Sequence, residues 1–313
     1  MGSLPAGVLL SELRVTVSVA ICATVELKST LLLADQILTL DDSLIDVKEV
    51  IVATPNRELA RRLQGRDHRL IVLSEERREG KASALNRIIG NATGDILVVA
   101  SADIKVSNNA IPLLVKGLIY HEDWGLADSR VQMGNGDILL MDKISKLVWA
   151  IHNATLDDLD EEEKLAHAGD MFAVRRKLVD QIPDITNDDA HLALQVRHKG
   201  YRVKRIRKAL VWITGPRSPV DYIVQRSRIL RGHLELVRGM RTMPTNFEFS
   251  MSSRPLRNAR LLFKTITRLG PSYIPVLMIA LSLEFMSLQI AIIETSFRRS
   301  HGPWKIALTT KQE

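Results

Sequence analysis

Between Glu79 and Ile104 the sequence runs E-G-K-A-S-A-L-N-R-I-I-G-N-A-T-G-D-I-L-V-V-A-S-A-D-I, and this stretch limits the fold more than any other. A glycine-marked loop enters a short helix predicted over residues 82–91, and Thr93-Gly94 stops it. The following run, residues 96–100, is apolar throughout, as befits a strand buried on both faces of a sheet. Asp103 emerges at the carboxyl end of that strand. Ligands of open α/β sheets bind at this edge, so Asp103 is a candidate ligand for a divalent cation or a nucleotide. An Asp in such a place also serves as a plain turn or cap residue.

The flanking chain repeats the alternation. Strands are predicted over residues 15–23, 47–54 and 70–73, and helices over 26–38 and 55–63. Strand and helix alternating at this spacing call for an α/β fold with a parallel, doubly wound sheet and right-handed crossovers. Beyond Asp103 a helix is expected over 108–120, a strand over 125–133 and helical spacing over 139–154. The acidic residues 157–163 read as a solvated loop or helix start.

Gly80-Lys81, Ala84-Leu85-Asn86, Ala92, Gly94-Asp95 and the strand ending in Ala102-Asp103 together resemble the G-K-x-x-A-L-N, A-x-G-D and D-x-D signature of family 2 glycosyltransferases of the GT-A fold. The resemblance implies that Gly80 and Lys81 contact a nucleotide, an ammonium being a strong point-charge partner for a diphosphate, and that Asn86 belongs to the nucleotide site. It also implies a metal, Mg²⁺ or Mn²⁺, at Asp103. The first Asp of D-x-D is Ser101 here, which keeps a hydrogen bond and loses the charge. At the first strand only Glu26 of Cys22-Ala23-Thr24-Val25-Glu26 keeps the family's residue. At the second, Thr54 or Asn56 stands where an Asp is expected and would address base or ribose without charge.

Further along, Gly169 and the apolar residues ending in Arg175-Arg176 resemble the family's acceptor-side strand. Asp188-Asp189 opens a predicted helix over 190–199. Carboxylates there often act only as caps, but by resemblance Asp189 is the catalytic base, with Asp188 the alternative. Gln225-Arg226-Ser227-Arg228-Ile229 resembles the Q-x-x-R-W motif of membrane-associated members, with Ile229 in place of Trp. Gln225 and Arg228 share a helix face and can jointly address an acceptor sugar or a diphosphate.

Composition is compatible with such an enzyme. The chain has 313 residues, 46% of them hydrophobic, enough for a catalytic domain over 1–240 and a C-terminal appendage over 241–313. A net charge of +7 favours polyanions, while 4% aromatic residues disfavour a base-stacking nucleic-acid platform, so no nucleic-acid partner is expected. Cys22 is the single cysteine, excluding an internal disulfide; it reads as an inert core residue. Residues 1–13 lack the charged head of a secretory signal, which leads to the expectation that the catalytic part faces the cytoplasm.

In the tail, Arg257, Arg260, Lys264 and Arg268 recur at helical spacing opposite Ala259, Leu262, Phe263, Ile266 and Leu269, a pattern suited to an anionic membrane interface. Residues 271–293 have the length to cross a bilayer but contain Glu284 and Gln289. The segment therefore reads as a span with Glu284 facing a partner, or as a buried, monotopic or dimerising helix. The overall expectation is an inverting, metal-dependent, hexosyltransferase-like enzyme moving a sugar from a nucleotide sugar to a lipid-linked or glycan acceptor at a membrane surface, with a homodimer through the C-terminal helices as a further option. The rival readings are a non-catalytic GT-A-like membrane-bound subunit and a sugar-phosphate nucleotidyltransferase, the latter lacking its glycine-rich opening at the first strand.

Overall fold

The computed structural model describes residues 14–134, 136, 138–240, 254–297 and 310. The expectation about a secretory signal concerns residues 1–13 and lies outside the described residues. The first half alternates as expected: β1 (Val15–Cys22), α1 (Leu27–Leu38), β2 (Ile45–Thr54), α2 (Arg57–Leu63), β3 (Leu70–Ser74), α3 (Lys81–Asn91) and β4 (Ile96–Ser101). Then come β5 (Lys105–Val106), α4 (Ala110–Tyr120), β6 (Trp124–Met133), α5 (Leu140–Glu161), β7 (Met171–Arg175), α6 (Asp188–His198) and β8 (Arg202–Ile213). Three helices close the chain: α7 (Pro219–Met240), α8 (Pro255–Leu269) and α9 (Tyr273–Ser296).

All eight strands form one sheet in the order β3-β2-β1-β4-β7-β6-β8-β5. β1 is parallel to β2 and β4, and β2 to β3. The parallel expectation holds for these four strands, and beyond them the sheet is mixed, because β7 runs antiparallel to both β4 and β6. A strand buried on both faces is apolar whichever way it runs, so composition carries no sign of direction.

Alternation along β1 shows how both faces are covered. Val17, Val19 and Ile21 pack with α1, α2 and α4 through Leu33, Leu59 and Leu114. Ala20 points the other way, to a core shared with Leu85 and Ile88 of α3, Leu156 of α5 and Leu192 of α6. The Gly94-Asp95 pair pins β4 to β1. A Cβ on Gly94 would lie 2.6 Å from the Ser18 nitrogen, the Gly94 amide donates to Ser18 Oγ at 2.8 Å, and Asp95 accepts from Thr16 Oγ1 at 2.7 Å. Buried Glu49 joins this seam. Burial alone would raise its carboxyl, but hydrogen bonds from Ser18 and Thr93 outweigh it and hold Glu49 below the ordinary range.

The acidic segment 157–163 is not the solvated loop expected from its composition. Most of it is the last turns of α5, and its carboxylates seat cations from distant strands. Asp157 pairs with Arg130 at 2.6 Å, Asp160 with Lys204 at 3.0 Å, and Glu162 with Arg254 at 2.6 Å. Arg257 of α8 reaches Asp158 at 2.6 Å, which ties α8 to the end of α5. The last helices bury a further core, in which Met141, Ile144 and Leu147 of α5 meet Tyr222 of α7 and Tyr273, Val276, Ala280 and Leu283 of α9.

Candidate active site

The parallel strands end on a cavity of about 640 Å³. Of the residues singled out from the sequence, Glu26, Gly80, Lys81, Ser101, Asp103, Asp188, Asp189, Gln225 and Arg228 line it. Thr54 and Asn86 do not. Thr54 is buried and its hydroxyl accepts from the Asn56 amide at 3.1 Å, while the Asn56 side chain caps α2 by accepting from Glu58 and Leu59. Asn86 clamps a loop with both ends of its amide: Nδ2 donates to the Ile182 carbonyl at 2.7 Å, and Oδ1 accepts from the Ile182 amide at 2.8 Å. That loop leads to Asp188, so Asn86 acts on the site through the backbone.

Gly80 caps α3 with φ of +110°, a left-handed conformation that favours glycine. It turns Lys81 toward α6, where Lys81 Nζ lies 3.2 Å from Asp188 Oδ2 and 3.9 Å from Asp189 Oδ2. Burial would lower the Lys81 ammonium, but the facing carboxylates overcome this and raise it, so it stays charged. Asp188 is buried, and burial raises its carboxyl against the pull of Lys81. Asp189 retains 32% side-chain exposure, and its Oδ1 accepts from the Ala190 amide at 2.7 Å.

Glu26 is buried at the end of β1, with Oε2 accepting from the amides of Thr24 at 2.6 Å and Val25 at 2.9 Å. The carboxylate shapes the turn that forms the cavity floor. Cys22 lies beside it, where burial pushes the thiol up to about 12, so it remains protonated and inert. In the charged loop before α3, Glu76 and Arg77 are exposed to solvent. Glu75 and Arg78 instead turn to the cavity wall. Burial raises the Glu75 carboxyl against the pull of Arg87, 3.5 Å away. Arg228 of α7 is drawn below its usual value by burial, opposed by the carboxylates of Asp189 and Asp188.

Two groups on the wall had no counterpart in the sequence reading. Asp170, just before β7, has its carboxyl raised to about 6, first by burial and then by the charge of Asp103. Ser101 Oγ lies 3.4 Å from its Oδ1. The second is a histidine group, in which Asp128 Oδ2 bonds His167 Nδ1 at 3.0 Å and His167 Nε2 lies 3.4 Å from His152 Nε2. His233 lines the same wall. Gly169-Asp170 is adjacent to a strand whose direction composition cannot give, and the histidines come from separate elements, so neither group has a local signature.

Comparison with known proteins agrees with this arrangement. Residues 39–182 match the family described as Glycosyl transferase family 2. A probable glycosyltransferase of Bacillus subtilis is 25% identical over 169 residues, covering 51% of this chain and 39% of the relative; the chain thus spans about two fifths of that relative's length. Among solved structures, a mannosyltransferase of Pyrobaculum calidifontis in complex with GDP-Man and Mn²⁺ superposes with a TM-score of 0.61 at 18% identity, covering 92% of this chain and 88% of that one. Glucosyl-3-phosphoglycerate synthase of Mycobacterium tuberculosis, in complex with Mn²⁺, UDP and glucosyl-3-phosphoglycerate, gives a TM-score of 0.51 at 21% identity, covering 73% and 84%. At such identities the structures speak for the fold alone, which is GT-A, and the similarity to Glycosyl transferase family 2 extends over residues 39–182, the nucleotide half of the chain.

Proposed function

We propose that the chain is an inverting, metal-dependent hexosyltransferase that moves a sugar from a nucleoside-diphosphate sugar to a hydroxyl of a lipid-linked or glycan acceptor. The observation that carries this reading is the meeting, in one cavity, of the Gly80-Lys81 loop, the strand-end Asp103, the α6 carboxylates and the Gln225 to Arg228 face of α7. The structural relatives named above were solved with GDP-Man or with UDP, each with Mn²⁺, which makes these nucleotides the first to try.

The donor set around Asp103 fits a hard divalent cation: the carboxylates of Asp103 and Asp170 and the Ser101 hydroxyl offer only oxygen, as Mg²⁺ and Mn²⁺ prefer. When bound, such an ion supplies positive charge to the leaving diphosphate. The chain's own residues do the rest. Asp189 takes the acceptor hydroxyl proton. The freed electron pair forms the bond to the anomeric carbon from the face opposite the nucleotide, and the pair of the breaking carbon–oxygen bond leaves with the nucleoside diphosphate. Lys81 and Arg228 place fixed positive charge beside that departing group. Asp188, buried and held by Lys81, is the less accessible of the two carboxylates.

The test is donor turnover with GDP-mannose and UDP-glucose in the presence of Mn²⁺. Asp189→Asn should keep nucleotide affinity and lose transfer by orders of magnitude. An inactive Asp188→Asn beside an active Asp189→Asn reverses the assignment of the base, and no turnover of any nucleotide sugar favours the non-catalytic subunit.

A membrane surface is the proposed workplace, with the catalytic domain on its cytoplasmic side. α9 has 24 residues and a mean hydropathy of 2.2 over its most apolar window, only 22% of which is buried. Its outer face presents Met278 and Phe285, and α8 adds Phe263, which is exposed beside Arg260 and Lys264 and not on the opposite face expected from its spacing. Such a mixture of apolar and basic side chains suits an anionic interface.

A further inference from the structure

We propose that Asp170 supplies the second carboxylate of the metal site, in the place that Ser101 leaves uncharged. The inference rests on the metal-dependent reading above and concerns which residues of this chain carry it. A divalent ion held by Asp103 alone would receive one negative charge from the protein. The antiparallel pairing of β4 and β7 brings another to the same point. Ala100 is paired with Met171, so the next residues, Ser101 and Asp170, stand opposite each other, and the Ser101 amide donates to the Asp170 carbonyl at 2.8 Å.

Residues opposite each other in such a pair keep their Cβ atoms about 4.5–5.5 Å apart. The two side chains therefore share one spot on the cavity wall, with Ser101 Oγ 3.4 Å from Asp170 Oδ1. Both line the cavity with Asp103. The approach to β7 is itself anchored, since the Gly169 amide donates to Asp128 Oδ1 at 2.9 Å. Four other carboxylates that line the cavity have work elsewhere: Glu26 accepts from the amides of its own turn, Asp188 faces Lys81, Glu75 faces Arg87, and Glu284 is held by Arg226. Charge deleted from β4 at Ser101 is thus restored from β7 at Asp170, through backbone pairing and not through sequence proximity.

The experiment is Mn²⁺ binding to the full chain, with UDP or GDP present, read from the electron paramagnetic resonance signal of free Mn²⁺. Asp170→Asn should weaken Mn²⁺ binding by about tenfold or more, comparable to losses on altering residues around metal sites. Adding Ser101→Asp to that variant should return the affinity, because the charge reappears across the pair. Unchanged Mn²⁺ affinity in Asp170→Asn overturns the inference and leaves the glycosyltransferase reading standing. A loss that Ser101→Asp does not restore also overturns it, since Asp170 would then act only on the shape of the wall. If the unaltered chain holds no Mn²⁺ with either nucleotide, the metal reading falls, and this assignment with it.

Discussion

Arg226 on α7 and Glu284 on α9 form a two-point ion pair, Nε to Oε1 at 2.8 Å and Nη2 to Oε2 at 3.0 Å. The Tyr222 hydroxyl donates to the same carboxylate. A glutamate that looks like a defect in a membrane-length apolar run is therefore the polar seam between two helices of one chain. Both side chains of the pair are largely buried, 16% and 17% exposed. Breaking one partner leaves the other uncompensated, so Glu284→Gln should lower stability by about 2–3 kcal/mol. Replacing both, as Arg226→Met with Glu284→Leu, should be milder than either single change; urea denaturation of the three variants checks this.

Lys81 and Asp188 form an asymmetric pair. Asp188 is buried, whereas the Lys81 side chain is 40% exposed at the cavity mouth. Solvent screens part of the attraction, so Lys81→Met should cost about 1–2 kcal/mol, between an exposed and a buried pair. The same change should raise the KM for the nucleotide sugar if the ammonium also faces the diphosphate. Stability and KM, measured separately, distinguish the two roles.

Two half-buried histidines make acid destabilising. Burial, helped by neighbouring His167 and Arg205, holds His152 well below its ordinary value of 6.5, and burial together with Arg226 holds His233 down at about 3. Both folded values lie below the unfolded one, so below about pH 6.5 the unfolded chain binds protons that the folded chain refuses. Stability from these groups is fully present above that pH and declines as pH falls toward the folded values, with a limiting slope of about 1.4 kcal/mol per unit for each histidine. Denaturation midpoints followed from about pH 7.5 down to about pH 4.5 should show the decline, and His233→Gln should flatten it relative to the unaltered chain.

The outer face of α9 offers a test of membrane binding that spares the core. Met278 and Phe285 are 62% and 63% exposed. Immersion of such a side chain contributes about 1.5–3 kcal/mol when complete, and salt does not screen it, whereas the attraction of Arg260, Lys264 and Arg268 to an anionic surface weakens with ionic strength. In co-sedimentation with anionic vesicles the unaltered chain should stay bound in high salt, and Met278→Ser with Phe285→Ser should be released by it. Release of the unaltered chain by salt alone would mean that something else, such as a second copy, covers this face.

Where the sequence could be read, apolar continuity made it so. Residues 96–100 announce a central strand, and Gly80-Lys81 and Asp103 fall on the cavity because a parallel sheet puts its loops at one edge. Three features escaped for a shared reason. Asp170 gains its meaning from β7 lying beside β4, Asn86 from a loop 96 residues away, and the acidic end of α5 from arginines on β6 and β8. Each depends on a distant partner, and helix or strand periodicity reports only on near neighbours. Asp95 and Gly94 show the converse. Their motif is plain in the sequence, yet what they do is fasten β4 to β1.

The amide clamp between Asn86 and Ile182 has a kinetic consequence. α3 is one rod: its first residue, Lys81, touches Asp188, and a turn and a half further on Asn86 grips the loop that leads to α6. If the chain binds a nucleotide as proposed, movement of α3 would be transmitted at both points to the segment bearing Asp188 and Asp189. Under the proposed function the expected order of binding is donor first, acceptor second, to be read from product-inhibition patterns.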